Sequence, residues 1–253
     1  MLHLGAWYEQ QACDGLTPLA AVGDPSLRIH GDNIGVPGLD KLFAAFASNP
    51  TIVQAQLRSA SLREFSQQAI HPLSDFNLAR SYDLNPIHDL FDSPIQLVKS
   101  EDLTCYLANG NINTGSYAYA LFGDKIDPVP AGPMRTVRAT STTTLVQGVW
   151  VNGAIAFEDP LPAGRYAIVG MNFISAHIVM GRLVFSDYSH RPGCMGQLLE
   201  RVGHIPRYRN GNAGLIGEFE HDRSPTVDFM ADQADAAEVV YLDLIQIRKG
   251  PAN

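Results

Sequence analysis

Hydrophobic and polar positions along this chain alternate with period two, in runs of strand length. In "IVQAQLR", Val53, Ala55 and Leu57 fall on one face, with Ile52, Gln54, Gln56 and Arg58 on the other. In "WVNGAIAFED", Val151, Gly153, Ile155 and Phe157 point one way, and Trp150, Asn152, Ala154, Ala156 and Glu158 point the other. Three further runs are apolar on nearly both faces: "GRYAIVGMNFIS", "HIVMGRLVF" and "EVVYLDLIQIR". They predict central strands covered from two sides by a second layer or a neighbouring subunit. Turn dipeptides separate the runs: "GDP", "VPG", "SNP", "NG", "LPAG", "RPG" and "RNGNAG". With 22 Gly and 16 Pro at short intervals, the spacing predicts an all-β sandwich or barrel.

Two segments carry a helical stripe. "PGLDKLFAAFAS" aligns Leu39, Leu42, Phe43 and Phe46 behind Pro37. "GCMGQLLERVGH" aligns Met195, Leu198, Leu199 and Val202 and ends at Gly203. The element order is therefore strands, helix, strands, repeated once. The richest Pro/Gly stretch, "GDKIDPVPAGPM" from Gly123 to Met134, supplies a break. This order predicts a jelly-roll β-sandwich, two jelly rolls in tandem over 1–125 and 126–253, with one short helix in each half. No repeat at the level of residues links the halves. A single jelly roll with an N-terminal extension is the competing arrangement.

Charge narrows the partners. Charged residues are 17% of 253, against about 25% in ordinary domains, which suits a surface partly hidden in contacts with copies of the same chain. The net charge is −8, and Arg28 is the single basic residue in the first forty. There is thus no basic arm for phosphates, and no direct sequence-specific nucleic-acid binding is expected. The one basic-leaning stretch holds Arg182, Arg191, Arg201, Arg207, Arg209 and Arg223. The opening "MLHLGAWYEQ" lacks the basic-then-apolar order of a secretory signal, and no run approaches 18 apolar residues. Cys13, Cys105 and Cys194 have no metal-ligand spacing and leave an odd thiol. A soluble protein made in a reducing cytoplasm is expected.

Candidate chemistry is thin. His3, His30, His71, His88, His177, His190, His204 and His221 form no HxH, HxxxH or HExxH pattern, so the paired ligands of a cupin are missing. There is no GxSxG elbow and no phosphate-binding glycine loop; Gly211, Gly214 and Gly217 read as a turn entering a strand. Glu158, Glu218, Glu220 and Asp222 are the carboxylates that a glycosidase-like hydrolase would need to converge. Arg191, fixed in an extended backbone by Pro192, is placed to clamp a neighbouring carboxylate in a bidentate pair or to satisfy carbonyls inside its own chain. The Thr/Ser-rich "TVRATSTTTLVQG" reads as an exposed strand, or as a polar binding face. No catalytic, cofactor-binding or metal residue is assigned, and no cofactor is expected.

The stretch "TVRATSTTTLVQGVWVNGAIAFEDPLPAGRYAIVGM" followed by "GRLVFSDYSHRPG", in a low-charge chain punctuated by Pro and Gly, resembles the major capsid proteins of tailless icosahedral viruses and phages. The resemblance covers the C-terminal half. In that family two jelly rolls stand side by side and trimers tile the shell. It implies a structural virion protein without enzymatic activity that self-assembles as a homotrimer. It also implies contacts with other virion proteins and an inner membrane beneath the shell, and location in the virion after synthesis in the host cytoplasm. Two alternatives stay open. A carbohydrate- or receptor-binding sandwich of spike or fibre type would show an exposed aromatic patch drawn from Trp7, Tyr8, Tyr117, Tyr119 and Trp150. A cupin-like or hydrolase enzyme would bring at least three ionisable side chains into one cleft.

Overall fold

A computed structural model describes residues 1–10, 15–36, 38–49, 52–64, 69–70, 88–109, 115–197 and 208–250. The chain divides into two compact units, Leu2–Asp124 and Lys125–Asn253, the second also taking Met1. Both are built from strands.

The N-terminal unit contains β1 (Leu2–Glu9), β2 (Thr17–Pro18), β3 (Arg28–His30), β4 (Asn33–Gly35), β5 (Lys41–Ser48) and β6 (Ile52–Arg58). After the short helix α1 (Ala60–Glu64) come β7 (Ala69–Ile70), β8 (His88–Asp89), β9 (Ile95–Gln96), β10 (Asp102–Asn109) and β11 (Ser116–Gly123). One sheet runs β1-β11-β5-β8, with β9 also on β5; the other runs β3-β4-β10-β6-β7, with β2 also on β10. The pairings are nested. The first strand meets the last (Leu2 opposite Gly123), β2 and β4 meet β10, β5 meets β8 and β9, and β6 meets β7. Nested antiparallel pairing over two sheets is the way a jelly roll is wound.

Between these sheets lie Trp7, Leu19, Ile34, Leu42, Leu57, Leu103, Leu107 and Phe122, all essentially without exposure. Each such side chain stabilises the fold by about 1.5–3 kcal/mol. The indole N–H of Trp7 donates to the Asp32 carbonyl at 2.9 Å, so this large residue is buried with its polar atom satisfied.

The C-terminal unit contains β12 (Met134–Ser141), β13 (Val151–Gly153), β14 (Ala156–Phe157), β15 (Gly164–Ile174), β16 (Ile178–Val184), β17 (Gly193–Gln197), β18 (Gly217–Glu220), β19 (Thr226–Ala231) and β20 (Glu238–Lys249). Its strand order is β13-β19-β16-β17-β15-β20-β12-β14, with β18 also on β15. The same nesting appears: β12 with β20, β13 with β19, β15 with β18, and β16 with β17. A two-residue parallel contact of β17 with β15, Phe173 opposite Gly196 and Ile174 opposite Gln197, joins the two layers at one corner. β15 is buried along nearly its whole length. The turn before Arg165 therefore feeds a strand covered on both faces, as the doubly apolar pattern predicts. Phe173 meets Phe229 edge-on at 6.1 Å and lies over Gly181, where a Cβ would come within 2.6 Å of the ring. That contact explains the glycine inside "VMGRL".

Both predicted helices need correction. "LFAAFA" lies within β5, paired to β11 on one edge and to β8 and β9 on the other. A short run that is apolar at every position fits helix or strand equally by periodicity, and sheet pairing along both edges decides it. Pro37 lies outside the described residues. "GCMGQ" is β17, whose Gly193 and Gly196 are poor helix formers. A Cβ at Gly196 would meet the Ile178 carbonyl at 2.6 Å, so the strand lies flush on its neighbour. Residues 198–207 lie outside the described residues. Among the described residues the α-helix is α1 alone, in the N-terminal unit. Glu101 caps it: the Ser61 N–H donates to Glu101 Oε2 at 2.9 Å, and the Ser61 hydroxyl donates to Oε1.

Candidate functional site

The C-terminal unit buries three carboxylates, Asp228, Glu238 and Asp243, inside its strand layers. A charge in that position costs several kcal/mol unless it is paired. Two of the three are paired by arginines.

Asp243 has no exposure and stands opposite Gly170 at a bulge between β15 and β20. Arg209 donates to both of its oxygens at 2.8 Å, the Asn210 N–H donates to Oδ2 at 2.8 Å, and the Thr136 hydroxyl donates to Oδ1 at 2.7 Å. Burial alone would raise this carboxyl's pKa. The bonds from Arg209, Asn210 and Thr136 outweigh burial and hold it below the ordinary aspartate value. Asn210 adopts a left-handed conformation, φ 56°, to aim its N–H inward, and Gly211 and Gly214 complete the turn with φ 79° and 69°. The glycine-rich "RNGNAG" is thus a turn pinned to a buried anion.

Asp228 is the second anchor. Arg182, with 1% exposure, donates Nε–H at 3.0 Å and Nη2–H at 2.9 Å to Asp228 Oδ2. Arg191 donates to the same oxygen at 3.0 Å, and the Asn152 amide donates to Oδ1 at 2.8 Å. The Arg182 guanidinium also lies 4.2 Å over the Trp150 ring. Arg191 thus meets a carboxylate, as the first of its two readings expected, though through one nitrogen and within its own chain.

Of the four hydrolase carboxylates, three are engaged by arginines, and the fourth, Asp222, is exposed in the turn after β18. Glu218 accepts from Arg165 at 2.8 Å, Glu220 pairs with Arg248, and Glu158 pairs with Arg138. Glu218 and Glu220 share one face of β18 and both approach Arg165, which makes a charged ladder on a sheet. The Glu218 bond and charge are the main reason the Arg165 guanidinium is held still more firmly protonated.

The histidines are scattered. His3 is buried beside Ser26 Oγ at 3.2 Å, His177 meets Asp232 at 3.1 Å, and His190 packs on Phe185 and Tyr188. His30 lies in β3, His88 in β8 and His221 beside Gly164; His71 and His204 lie outside the described residues. Among the described residues no three His, Cys, Asp or Glu are grouped to hold a metal ion. Cys105 and Cys194 are buried thiols whose pKa values are pushed well up by burial, and Cys13 is outside the described residues.

The aromatics named for a glycan surface are mostly core residues. Trp7, Tyr117 and Tyr119 have at most 1% exposure, Tyr8 stacks on Tyr117 at 4.9 Å, and Trp150 lies under Arg182. The Thr/Ser-rich run ends its strand at Ser141. Beyond it Thr142, Thr144 and Val146 are exposed and Leu145 is buried.

Surface depressions among the described residues include one in each unit. One, of about 240 Å³ in the C-terminal unit, lies between Arg135, the Asp159–Pro162 turn and Tyr166. The Tyr166 hydroxyl donates to the Pro162 carbonyl at 2.7 Å and secures that turn. The other, about 440 Å³ and open, lies among Asn33, Arg58, Asp102 and Tyr106 of the N-terminal unit, with Arg58 stacked on Tyr106 at 4.0 Å. The second is also lined by Ser59, Ser100, Glu101 and Thr104; there Glu101 accepts from Ser61, Asp102 accepts from Arg28, and the Thr104 hydroxyl donates to Asn33.

The buried carboxylates escaped notice in the sequence, although Asp228 and Asp243 leave a trace: a lone acid inside an apolar strand run, as in "VVYLDLIQI", calls for a partner from elsewhere.

These features define an all-β, jelly-roll type of sandwich protein held by internal ion pairs. No family model and no curated protein matches the chain. Among solved structures, the major capsid protein P2 from Bacteriophage PM2 is similar at 8% identity over the whole of both chains, with a TM-score of 0.26.

Proposed function

We propose that this protein is a capsid subunit: a structural virion protein, not an enzyme, that self-assembles as trimers into an icosahedral shell. The observation that carries this reading is the winding. Each unit nests its strands in the same four tiers, β1 with β11 down to β6 with β7, and β12 with β20 down to β16 with β17. On this reading residues 1–125 and 126–253 are two jelly rolls in tandem, the arrangement of the capsid family that the sequence resembles. The disposition of charge agrees with it. The buried Arg182 and the half-buried Arg191 and Arg209 serve internal carboxylates, and the few charges left leave surface suited to contact with sibling chains.

Its partners are then copies of itself, other virion proteins, and an inner membrane or internal protein that deals with the genome. Its location is the virion, following synthesis in the host cytoplasm. Size-exclusion chromatography with light scattering, followed by electron microscopy of the purified full chain, tests the reading. Trimers or closed shells are expected. A stable monomer that binds glycans or turns over a small compound overturns it.

A further inference from the structure

Glu238 is the third buried carboxylate, and it differs from the other two. Its residue is 1% exposed, and neither carboxylate oxygen closes a hydrogen bond of ordinary geometry. Among the described residues no arginine meets it, and the charge that acts on it is that of another carboxylate, Asp235. Asp235 lies within the loop of residues 232–237 that joins β19 to β20, and Glu238 opens β20 directly after it.

That loop is tied down from several sides. The Leu145 N–H donates to the Asp235 carbonyl at 2.7 Å, the Ser175 hydroxyl donates to Asp235 Oδ2, and the Ala236 N–H donates to Oδ1 at 2.8 Å. At its start, the Asp232 N–H donates to the His177 carbonyl at 3.0 Å, and the two side chains meet at 3.1 Å. Ser141 on β12 stands opposite Glu238 on β20; its hydroxyl donates to Thr143 at 3.2 Å, and together with the N–H groups of Ala237 and Glu238 it lies near enough to the Glu238 carboxyl to oppose, without outweighing, the effect of burial. From β12 and from the end of β15, then, neutral hydroxyls pack around this corner, while β16 brings His177 already engaged by Asp232. Asp235 is the ionisable neighbour acting on Glu238 among the described residues.

We propose that Glu238 and Asp235 form a proton-operated latch on the β19–β20 loop. With Glu238 carried as the neutral acid, the loop stays docked against Ser175 and Leu145. When Glu238 ionises, a buried anion without an arginine is added beside the hydrogen-bonded carboxylate of Asp235, and the loop is driven off. The device belongs to the C-terminal unit alone and does not depend on the shell reading.

Burial, with the charge of Asp235 added, pushes the Glu238 carboxyl up to about 7 from its ordinary 4.5. The folded form then holds a proton that the unfolded chain has lost, so stability is fully present below about pH 4.5 and is lost as pH rises through 7.

The test compares the full chain with Glu238→Gln between pH 5.5 and 8.5. Melting of the wild type is expected to drop by about 5–10 °C across that range beyond any change in the variant. Exchange of the Leu145 amide is expected to accelerate beyond the intrinsic pH trend in the wild type only. A carbon-13 titration of the Glu238 carboxyl in the unmutated chain reads the same event without a substitution, with a midpoint expected near 7. Superposable pH profiles for the two proteins, or a carboxyl midpoint in the ordinary glutamate range, overturn the latch. Recovery of wild-type melting at pH 8.5 by added calcium, absent in Glu238→Gln, also overturns it by assigning the oxygens to a cation.

Discussion

Arg209 closes two hydrogen bonds of 2.8 Å on the carboxylate of Asp243, which has no contact with solvent. Removing the guanidinium leaves an anion inside a sheet layer. Arg209→Ala is expected to destabilise the protein by about 3–5 kcal/mol in urea unfolding. The acid limb tells the direction of the linkage. Because the folded-state value of Asp243 is lowered, its contribution is present above the unfolded-state value and disappears as pH falls through the folded one. The gap between wild type and Asp243→Asn should therefore narrow under strongly acidic conditions.

Gly170 stands where a Cβ would lie 2.2 Å from Asp243 Oδ2 and 3.0 Å from Arg209 Cα. Gly170→Ala is expected to cost about 1–3 kcal/mol by crowding. If the damage runs through the carboxylate, a double-mutant cycle with Asp243→Asn will be non-additive; simple additivity would place the crowding elsewhere.

Val169 and Met171 are fully buried in β15. Placing Asp at either position puts an unpaired charge in an apolar layer, so both variants should fail to accumulate as soluble protein, while Val169→Ala remains soluble. Normal expression and assembly of Val169→Asp would contradict burial from two sides.

Three arginines of the basic-leaning stretch, Arg182, Arg191 and Arg209, are already engaged by buried aspartates. Cross-linking of nucleic acid to residues 182–223 in assembled particles should consequently be negligible, and binding in solution should show no steep salt dependence. Efficient cross-linking there would assign the stretch to the genome.

The strands were legible where the physics is local. Alternation in "IVQAQLR" corresponds to β6, with Ala55 and Leu57 buried and Gln56 and Arg58 on the other side. "GRYAIVGMNFI" announced burial on both faces. "WVNGAIAFED" kept its alternation, with Gly153 and Ile155 inside, yet it breaks into β13 on β19 and β14 on β12. Its parts serve different layers, and partner choice leaves no mark on periodicity. "LFAAFA" failed as a helix because pairing with β11, more than seventy residues onward, outweighs a local preference. Glu238 and Asp243 look alike as single acids in one run, "EVVYLDL". Only the fold shows that one has an arginine and the other does not.

The pairing of Leu2 with Gly123, and of Met134 with Ile245, makes each unit's opening strand wait for its closing one. During translation β1 leaves the ribosome with its lasting partner still unmade. Its apolar positions therefore need temporary cover, from a chaperone or from loose collapse, until β11 emerges. A ribosome stalled anywhere inside either unit releases a chain with an open sheet edge, so steady elongation is itself a condition for recovering this protein intact.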